Sequence, residues 1–345
     1  MIWIFSWSML AALRYINDKG VGGSDAYMYM TFFESCSSFW KMINAAHFDI
    51  GFKLFTFIVR LFTDNYHIYA FICAFILVGS YAIVVQRLCP SDINTIPLVL
   101  IFYLFLRGFT TYRTNLSVAF FLIGIVCLYE KKYVRSLLLM VISVLFHKSS
   151  IIYALIVPFM IIYNKRKLSV KESVALVCLG CVLGRIIQTV MLGAFGTALG
   201  DAYQSYASRS VGKSFFDGFW KIAFEQMILS VPMLIYRTKI NRIWPSNDLE
   251  SRDKIKFVWN VCIFDFIMIP TTYTISLWRG YEYLYIFRLI MWGTLLEIFL
   301  KRFSYQSKVL IKIVALSIFL IWFVWRVCKT YEPSGLLPYV YCYFI

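Results

Sequence analysis

The sequence predicts an all-α polytopic membrane protein, and three observations carry that prediction. Of 345 residues, 61% are hydrophobic and 15% are charged, where a soluble domain carries about 25% charge. Mean hydropathy is +0.72. Apolar runs recur along the whole chain, separated by short loops rich in Lys and Arg. The aromatic share of 19%, with 24 Tyr and 10 Trp, suits a chain that lines two membrane interfaces. The formal charge of +16 comes from 34 basic and 18 acidic residues. The basic residues sit between apolar runs rather than on one soluble face, so orientation in the membrane and anionic lipid account for them. Nucleic acid is not expected as a partner. The nine cysteines lack disulfide spacing and mostly lie within apolar runs, as small apolar residues.

Taken in order, Met1–Leu13 is apolar but about half the roughly 20 residues of a span. It lacks a basic leader and a small-residue cleavage site, so it reads as a short first helix, or a longer one cut by the choice of start. Arg14–Asp49 is the most polar part of the first half and opens an expected extracytoplasmic segment, 14–65. There Gly20, Gly22 and Gly23 set a turn, and Ser24 or Asp25 offers an N-cap for the helix that follows. Ile50–Phe62 carries Lys53, Thr56, Arg60 and Thr63 on one helical face, which predicts an interfacial helix rather than a span. Spans are expected near Tyr66–Val85, Ile93–Leu106, Leu116–Tyr129, Val134–Phe146, Ile151–Tyr163, Val174–Leu192, Phe219–Tyr236, Phe257–Leu277, Tyr283–Leu300 and Val309–Val327. With the first helix that makes about eleven crossings. Several are short unless they tilt, run on into polar flanks, or sit where the bilayer thins. The whole chain, 1–345, is expected to form a single integral membrane domain.

The loops Glu130–Arg135, Asn164–Lys171, Arg237–Lys256 and Lys301–Lys308 are basic and fall at every second turn, which marks them as cytoplasmic. The N-terminus is then inside and the C-terminus outside. The outer side receives Arg14–Asn65, Arg107–Thr114, His147–Ser150, the loop 193–218, Trp278–Glu282 and the tail after Lys329. No internal repeat is visible.

On that map Arg107, Arg113, Arg279 and Arg288 lie at outer span ends, with Arg185 within a span nearby. An arginine at the bilayer centre costs about 2.5–3.5 kcal/mol on insertion scales. Any one of them is explained by a side chain snorkelling to phosphate headgroups. Gathered on one side, they favour an anion site, because arginine binds phosphate through two parallel hydrogen bonds. Phe146-His147-Lys148-Ser149-Ser150 is a polar island between apolar Ser136–Phe146 and Ile151–Tyr163. It is expected to wall an extracytoplasmic active site. For His147 the favourable point is that imidazole as a group can accept or donate a proton near neutral pH, although a histidine satisfied at a helix end would give the same pattern. Asp25 has the same two readings, site residue or N-cap. Asp265, in Phe264-Asp265-Phe266, is preferred as a partner for one of the arginines over a purely structural hydrogen-bonding group. Lys221 and Glu225 are four apart and suited to pair. Cys178 and Cys181 overlap Gly180 and Gly184, and close helix packing is the better reading of that stretch. The chain lacks a P-loop, an HExxH motif, a dinucleotide fingerprint and a metal-ligand cluster. Neither a cofactor nor a metal is expected.

Arg14-Tyr15, followed by Gly22-Gly23-Ser24-Asp25 and Tyr29, resembles the RY…GxD…Y opening of the EpsG family, a branch of the Wzy-type polysaccharide polymerases. The resemblance continues through Asp49-Ile50-Gly51-Phe52, through Arg113 ahead of Leu116-Ser117-Val118-Ala119, and through Phe146–Ser150. Arg288 and Pro338-Tyr339 fit loosely. The chain departs from the pattern in having only Met1–Leu13 before the RY segment, where the family often has a full helix. It also has serine where threonine is common in GxD.

The resemblance implies a GT-C-like membrane glycosyltransferase of the bacterial inner membrane. Such an enzyme joins oligosaccharide repeat units at the outer face, moving the chain from polyprenyl (undecaprenyl) pyrophosphate to the non-reducing end of another lipid-linked unit. Arg107, Arg113, Arg279 and Arg288 would hold the pyrophosphate in place of a metal, supported by Arg185, Asp265, Lys148 and Arg14. Asp25 or His147 would be the general base, or His147 would bind the leaving phosphate. Tyr203 and Tyr206 suit sugar stacking. A chain-length regulator and a flippase of the same pathway are the implied partners, and the product would be capsule, exopolysaccharide or O-antigen. The rival readings are a lipid-linked sugar flippase, which should show a repeated half, an O-antigen ligase with the same outer pyrophosphate site, and a membrane acyltransferase.

Overall fold

Polar residues at three- and four-residue steps inside an apolar run must face either water or protein, and the difference decides what Ile50–Phe62 does. The computed structural model describes residues 2–89, 111–163, 249–274, 282–300 and 303–331, apart from residues 20, 24 and 46, with isolated positions between 169 and 186. In chain order its α-helices are α1 (Ile2–Ala12), α2 (Ala26–Ser35), α3 (Phe39–Asn44), α4 (Ile50–Phe62), α5 (Tyr66–Leu88), α6 (Tyr112–Tyr129), α7 (Tyr133–Phe146), α8 (Ile156–Tyr163), α9 (Leu249–Thr274), α10 (Tyr285–Leu300) and α11 (Tyr305–Tyr331), with a 3₁₀ helix over Lys148–Leu155. All regular elements among the described residues are helical.

Helices α5 and α6 are long and apolar enough to cross a membrane, and α1, α7 and Lys148–Tyr163 are shorter apolar helices. Helix α6 begins four residues before the expected apolar run, because Tyr112, Arg113, Thr114 and Asn115 continue the helix. Helix α9 likewise extends back through Glu250, Arg252, Asp253 and Lys254, which are compatible with helix but not with lipid. Of the expected crossings, 93–106 and 219–236 lie outside the described residues, as does most of 174–192.

The chain divides into two compact units, one of residues 1–87, 95–151 and 302–345, the other of residues 88–94 and 152–301. In the first unit, α4 carries its polar stripe on one face, as the spacing predicts, and that face is turned into the protein. Lys53 and Thr56 are buried, while Ile50, Leu54, Ile58, Leu61 and Phe62 are exposed. Lys53 Nζ donates to the Ile43 carbonyl at 2.8 Å, and the Thr56 and Tyr69 hydroxyls lie 3.0 Å apart. The Arg60 guanidinium sits over the Phe33 ring and pairs with Asp64. Each buried polar group therefore has a partner, as it must where desolvation without a hydrogen bond costs several kcal/mol. Helix α7 divides its faces in the same way: Ser136 and Ser143 are buried and Val134, Leu137, Leu138, Val141 and Leu145 are exposed. Apolar residues outside and polar residues inside is the arrangement suited to a hydrocarbon surround.

Between α4, α2 and α5 lies an aromatic core of Tyr29, Phe33, Phe52, Tyr69 and Tyr112. Helices α6 and α7 pack closely because both are small at the crossing. The Ser117 hydroxyl donates to the Ser143 carbonyl and the Ser143 hydroxyl to the Ser117 carbonyl, each at 2.8 Å. At the far end of this pair Lys131 takes φ 61° and turns the chain. There Lys132 hydrogen-bonds Glu130 and holds its carboxyl below the usual range, and Arg87 lies 3.8 Å from the same side chain.

In the second unit α9 packs on α10 and on α8. Asp265 of α9 and Arg288 of α10 form a fully buried ion pair, with the guanidinium over the Tyr285 ring. Asn260 Nδ2 donates to the Tyr163 carbonyl at 2.9 Å, satisfying an acceptor at the end of α8.

Candidate active site

The polar island around His147 is where one helix stops. His147 is the C-cap of α7, with φ −153° and ψ 106°; this extended backbone ends the α-helical ladder. Its N–H still donates to the Ser143 carbonyl at 3.0 Å, and its carbonyl accepts from the Ser150 N–H at 2.9 Å, starting the 3₁₀ turn. The imidazole leaves the helix end and is 14% exposed. Lys148 points outward and is exposed, whereas Ser150 is buried.

A second helix end meets the first. Asp49 is the N-cap of α4, with φ −71° and ψ 151°, yet its side chain makes no capping hydrogen bond. A capping aspartate normally contributes about 0.5–2 kcal/mol by accepting from the first-turn N–H groups. Here Oδ2 lies instead 3.6 Å from His147 Nδ1 and 3.5 Å from Arg113 Nη1. Arg113 stands in the first turn of α6, and its Nη1 donates to the His47 carbonyl at 3.1 Å. Three helix ends thus place a guanidinium, a carboxylate and an imidazole side by side, partly open to the surroundings, with Asp49 between the two nitrogen bases.

Two features fix that meeting. The reciprocal Ser117–Ser143 hydrogen bonds lie four residues after Arg113 and four before His147, which holds both at the same level. Gly51 sets the approach of α4 to α7: a Cβ there would lie 2.8 Å from both the Leu145 carbonyl carbon and its oxygen. Backbone cannot yield as a flexible side chain does. We expect Gly51→Ala to displace the start of α4, move Asp49 off His147, and lower activity about tenfold or more while reducing thermal stability. Activity and melting of the purified variant check this, and parental values for both would contradict the close approach.

Arg14 lies deeper, at 1% exposure. Its Nη2 donates to the Tyr112 hydroxyl at 2.8 Å, and its guanidinium lies over the Tyr112 ring, 5.5 Å from the centroid. Tyr112 packs with Tyr29, Tyr66 and Tyr69. Consecutive residues of α6 therefore do different work: Tyr112 anchors Arg14, and Arg113 reaches Asp49. Asp25 occupies the N-cap position of α2, half-buried and without a side-chain capping bond.

Of the expected site residues, the fold brings Arg113 and His147 together and places Arg14 against the residue next to Arg113. Arg288 and Asp265 belong to the second unit and pair with each other. Arg107, Arg185, Arg279, Tyr203 and Tyr206, and the loop 193–218, lie outside the described residues. Sequence reasoning assigned no role to Asp49 or Tyr112. Asp49 entered only as part of the Asp49-Ile50-Gly51-Phe52 resemblance, because an aspartate directly before an apolar helix also reads as an N-cap; the unmade capping bond points to another use. Among the described residues there is no group of three or more His, Cys, Asp or Glu side chains arranged to hold a metal ion.

Chemically the cluster combines a fixed cation for an anionic ligand with an imidazole able to take a proton, beside a carboxylate that stabilises both. No curated protein and no solved structure matches the chain. The EpsG family model matches residues 1–341. The chain belongs to the EpsG family, the membrane-embedded Wzy-type polysaccharide polymerases.

Proposed function

We propose that the protein polymerises lipid-linked oligosaccharide repeat units at the outer face of the cytoplasmic membrane. The carrying observation is the junction of Arg113, Asp49 and His147 at three helix ends, in a chain of this family. An acceptor hydroxyl on one unit loses its proton to His147 and forms a new C–O bond at the anomeric carbon of the donor chain. The bond from that carbon to the donor's pyrophosphate oxygen breaks, and polyprenyl pyrophosphate departs with the bonding electrons. Negative charge grows on the leaving group, so a preorganised cation aimed at it stabilises the transition state more than the ground state. Arg113 takes that role, with Arg14 supporting it through Tyr112. Arg107, Arg279 and Arg288 are proposed to share the pyrophosphate, supported by Arg185, Asp265 and Lys148, and Asp25 is the alternative base. In this reading the Arg113–His147 end faces outward and the Arg87–Lys132 end faces the cytoplasm, which the basic residues near Lys132 support.

The test is a reconstituted assay with purified protein in vesicles and lipid-linked repeat units. A ladder of products is expected, unchanged by a metal chelator. His147→Ala should reduce polymer about 10²–10⁴-fold, the usual range for a lost acid–base group. Movement of repeat units across the bilayer without joining would identify a flippase instead. Transfer only to an acceptor that is not a repeat unit would identify a ligase.

A further inference from the structure

The Asp49 carboxylate lies beside both Arg113 and His147, and its side chain makes no capping hydrogen bond. We propose that Asp49 is the positioning residue of this site: it holds His147 in the tautomer with the proton on Nδ1, so that Nε2 is the atom that takes the acceptor's proton. The proposal rests on the preceding reading of the site and decides between the roles left open for His147, in favour of the base.

The geometry supports this in three ways. Oδ2 faces Nδ1 at 3.6 Å, longer than a hydrogen bond but within reach of one. Catalytic hydrogen bonds in a site without substrate are often long and tighten when it binds. The carboxylate has left its capping position, although a cap is the favourable local use of an N-terminal aspartate. His147 sits at the C-terminus of α7, where the helix dipole favours a cation by about 0.3–1 kcal/mol. A carboxylate and a helix C-terminus together favour the imidazolium that forms when the base has taken its proton. Among the described residues the opposing groups are the Arg113 guanidinium from α6 and Lys148, next in the chain; His47, from the loop before α4, presents its carbonyl to Arg113. Asp49 also screens Arg113 from the ring, which lets a fixed cation and a base stand side by side.

The step balances without a further reactant. The acceptor hydroxyl proton moves to His147 Nε2, the Nδ1 proton stays with the ring against Asp49, and the Nε2 proton later passes to water or to the departing pyrophosphate.

The test compares Asp49→Asn with the parent for polymer formation by purified protein on lipid-linked repeat units, across pH 5–9. The expected result is a fall in kcat of about 10²-fold or more, a KM within about threefold, and an acidic limb of kcat/KM displaced to lower pH. The sign follows from the chemistry: a carboxylate beside the ring raises its basicity, so its loss lowers the pH at which the base becomes available. An unmoved pH limb with a lowered melting temperature would make Asp49 structural only and overturn the proposal. A lower KM with unchanged or higher kcat would also overturn it, by making Asp49 a counter-ion that competes with substrate for Arg113. If Asp49→Asn does not fold, Asp49→Glu carries the test: the limb should stay while kcat falls about tenfold, and parental kcat would overturn the proposal. The outcomes separate from those for the site itself. If His147→Ala is inactive and Asp49→Asn leaves the pH limb in place, only the role of Asp49 is lost. If His147→Ala is fully active, the reading of the site is lost.

Discussion

Arg113→Ala is expected to lower polymer formation about 10²–10³-fold without unfolding the protein. Removing one preorganised donor from a developing negative charge costs that much in other sites of this kind. The loss should appear mainly in kcat, because the charge on the bridging oxygen of the pyrophosphate grows as the anomeric bond breaks. Stability should change by less than about 1 kcal/mol, since Arg113 is a quarter exposed and its ion pair with Asp49 is partly solvated. Arg113→Lys should recover part of the activity: a lysine restores the charge but not the two-pronged hydrogen bonding of a guanidinium. Product ladders and thermal unfolding of the same preparations provide both measurements. Parental rates from a normally folded Arg113→Ala protein would remove the assignment.

The second large effect is expected on stability, in the second unit. Asp265→Ala should destabilise the protein by about 3–5 kcal/mol, because it strands Arg288 as an uncompensated charge at 0% exposure. Replacing both partners, as in Asp265→Leu with Arg288→Met, should be far milder, since well-packed apolar residues often substitute for a buried pair at little cost. The comparison also tests the proposed role of Arg288 toward pyrophosphate. Its Nε engages Asp265, while Nη1 and Nη2 are buried without a hydrogen-bond partner among the described residues. Those donors suit an anion. If the double variant folds and polymerises at the parental rate, the pair is structural and Arg288 is removed from the site. If it folds and loses activity, the free donors are in use. Unfolding in detergent and the polymer assay together give the answer.

Much of this protein is legible in its sequence because a membrane imposes simple rules. A chain with 15% charged residues and recurrent apolar runs has few ways to satisfy its backbone other than helices. The helices α5, α7 and α10 fall within about three residues of the runs that predict them. Helices α6, α9 and α11 run further, because helix formation tolerates polar side chains that hydropathy reads as the end of a span. The motif resemblance pointed to the family that residues 1–341 match. The spacing of Lys53, Thr56 and Arg60 defined a face of α4.

Which way that face turns, and what meets at its end, belonged to the tertiary structure. A polar stripe implies a polar neighbour, and in a soluble setting that neighbour is water; here it is the Ile43 carbonyl, the Tyr69 hydroxyl and the Phe33 ring. Asp49, Arg113 and His147 are separated by 64 and 34 residues, and each has an adequate local explanation as cap, snorkelling cation or helix end. Their meeting depends on the missing Cβ of Gly51 and the paired serines 117 and 143, which set the distance and level of three helices. Local propensity and transfer free energy determine roughly where helices form and which residue types stand near their ends, and both are read from sequence. Only packing decided that three of those ends form one site, because contact between distant residues is a property of how helices cross.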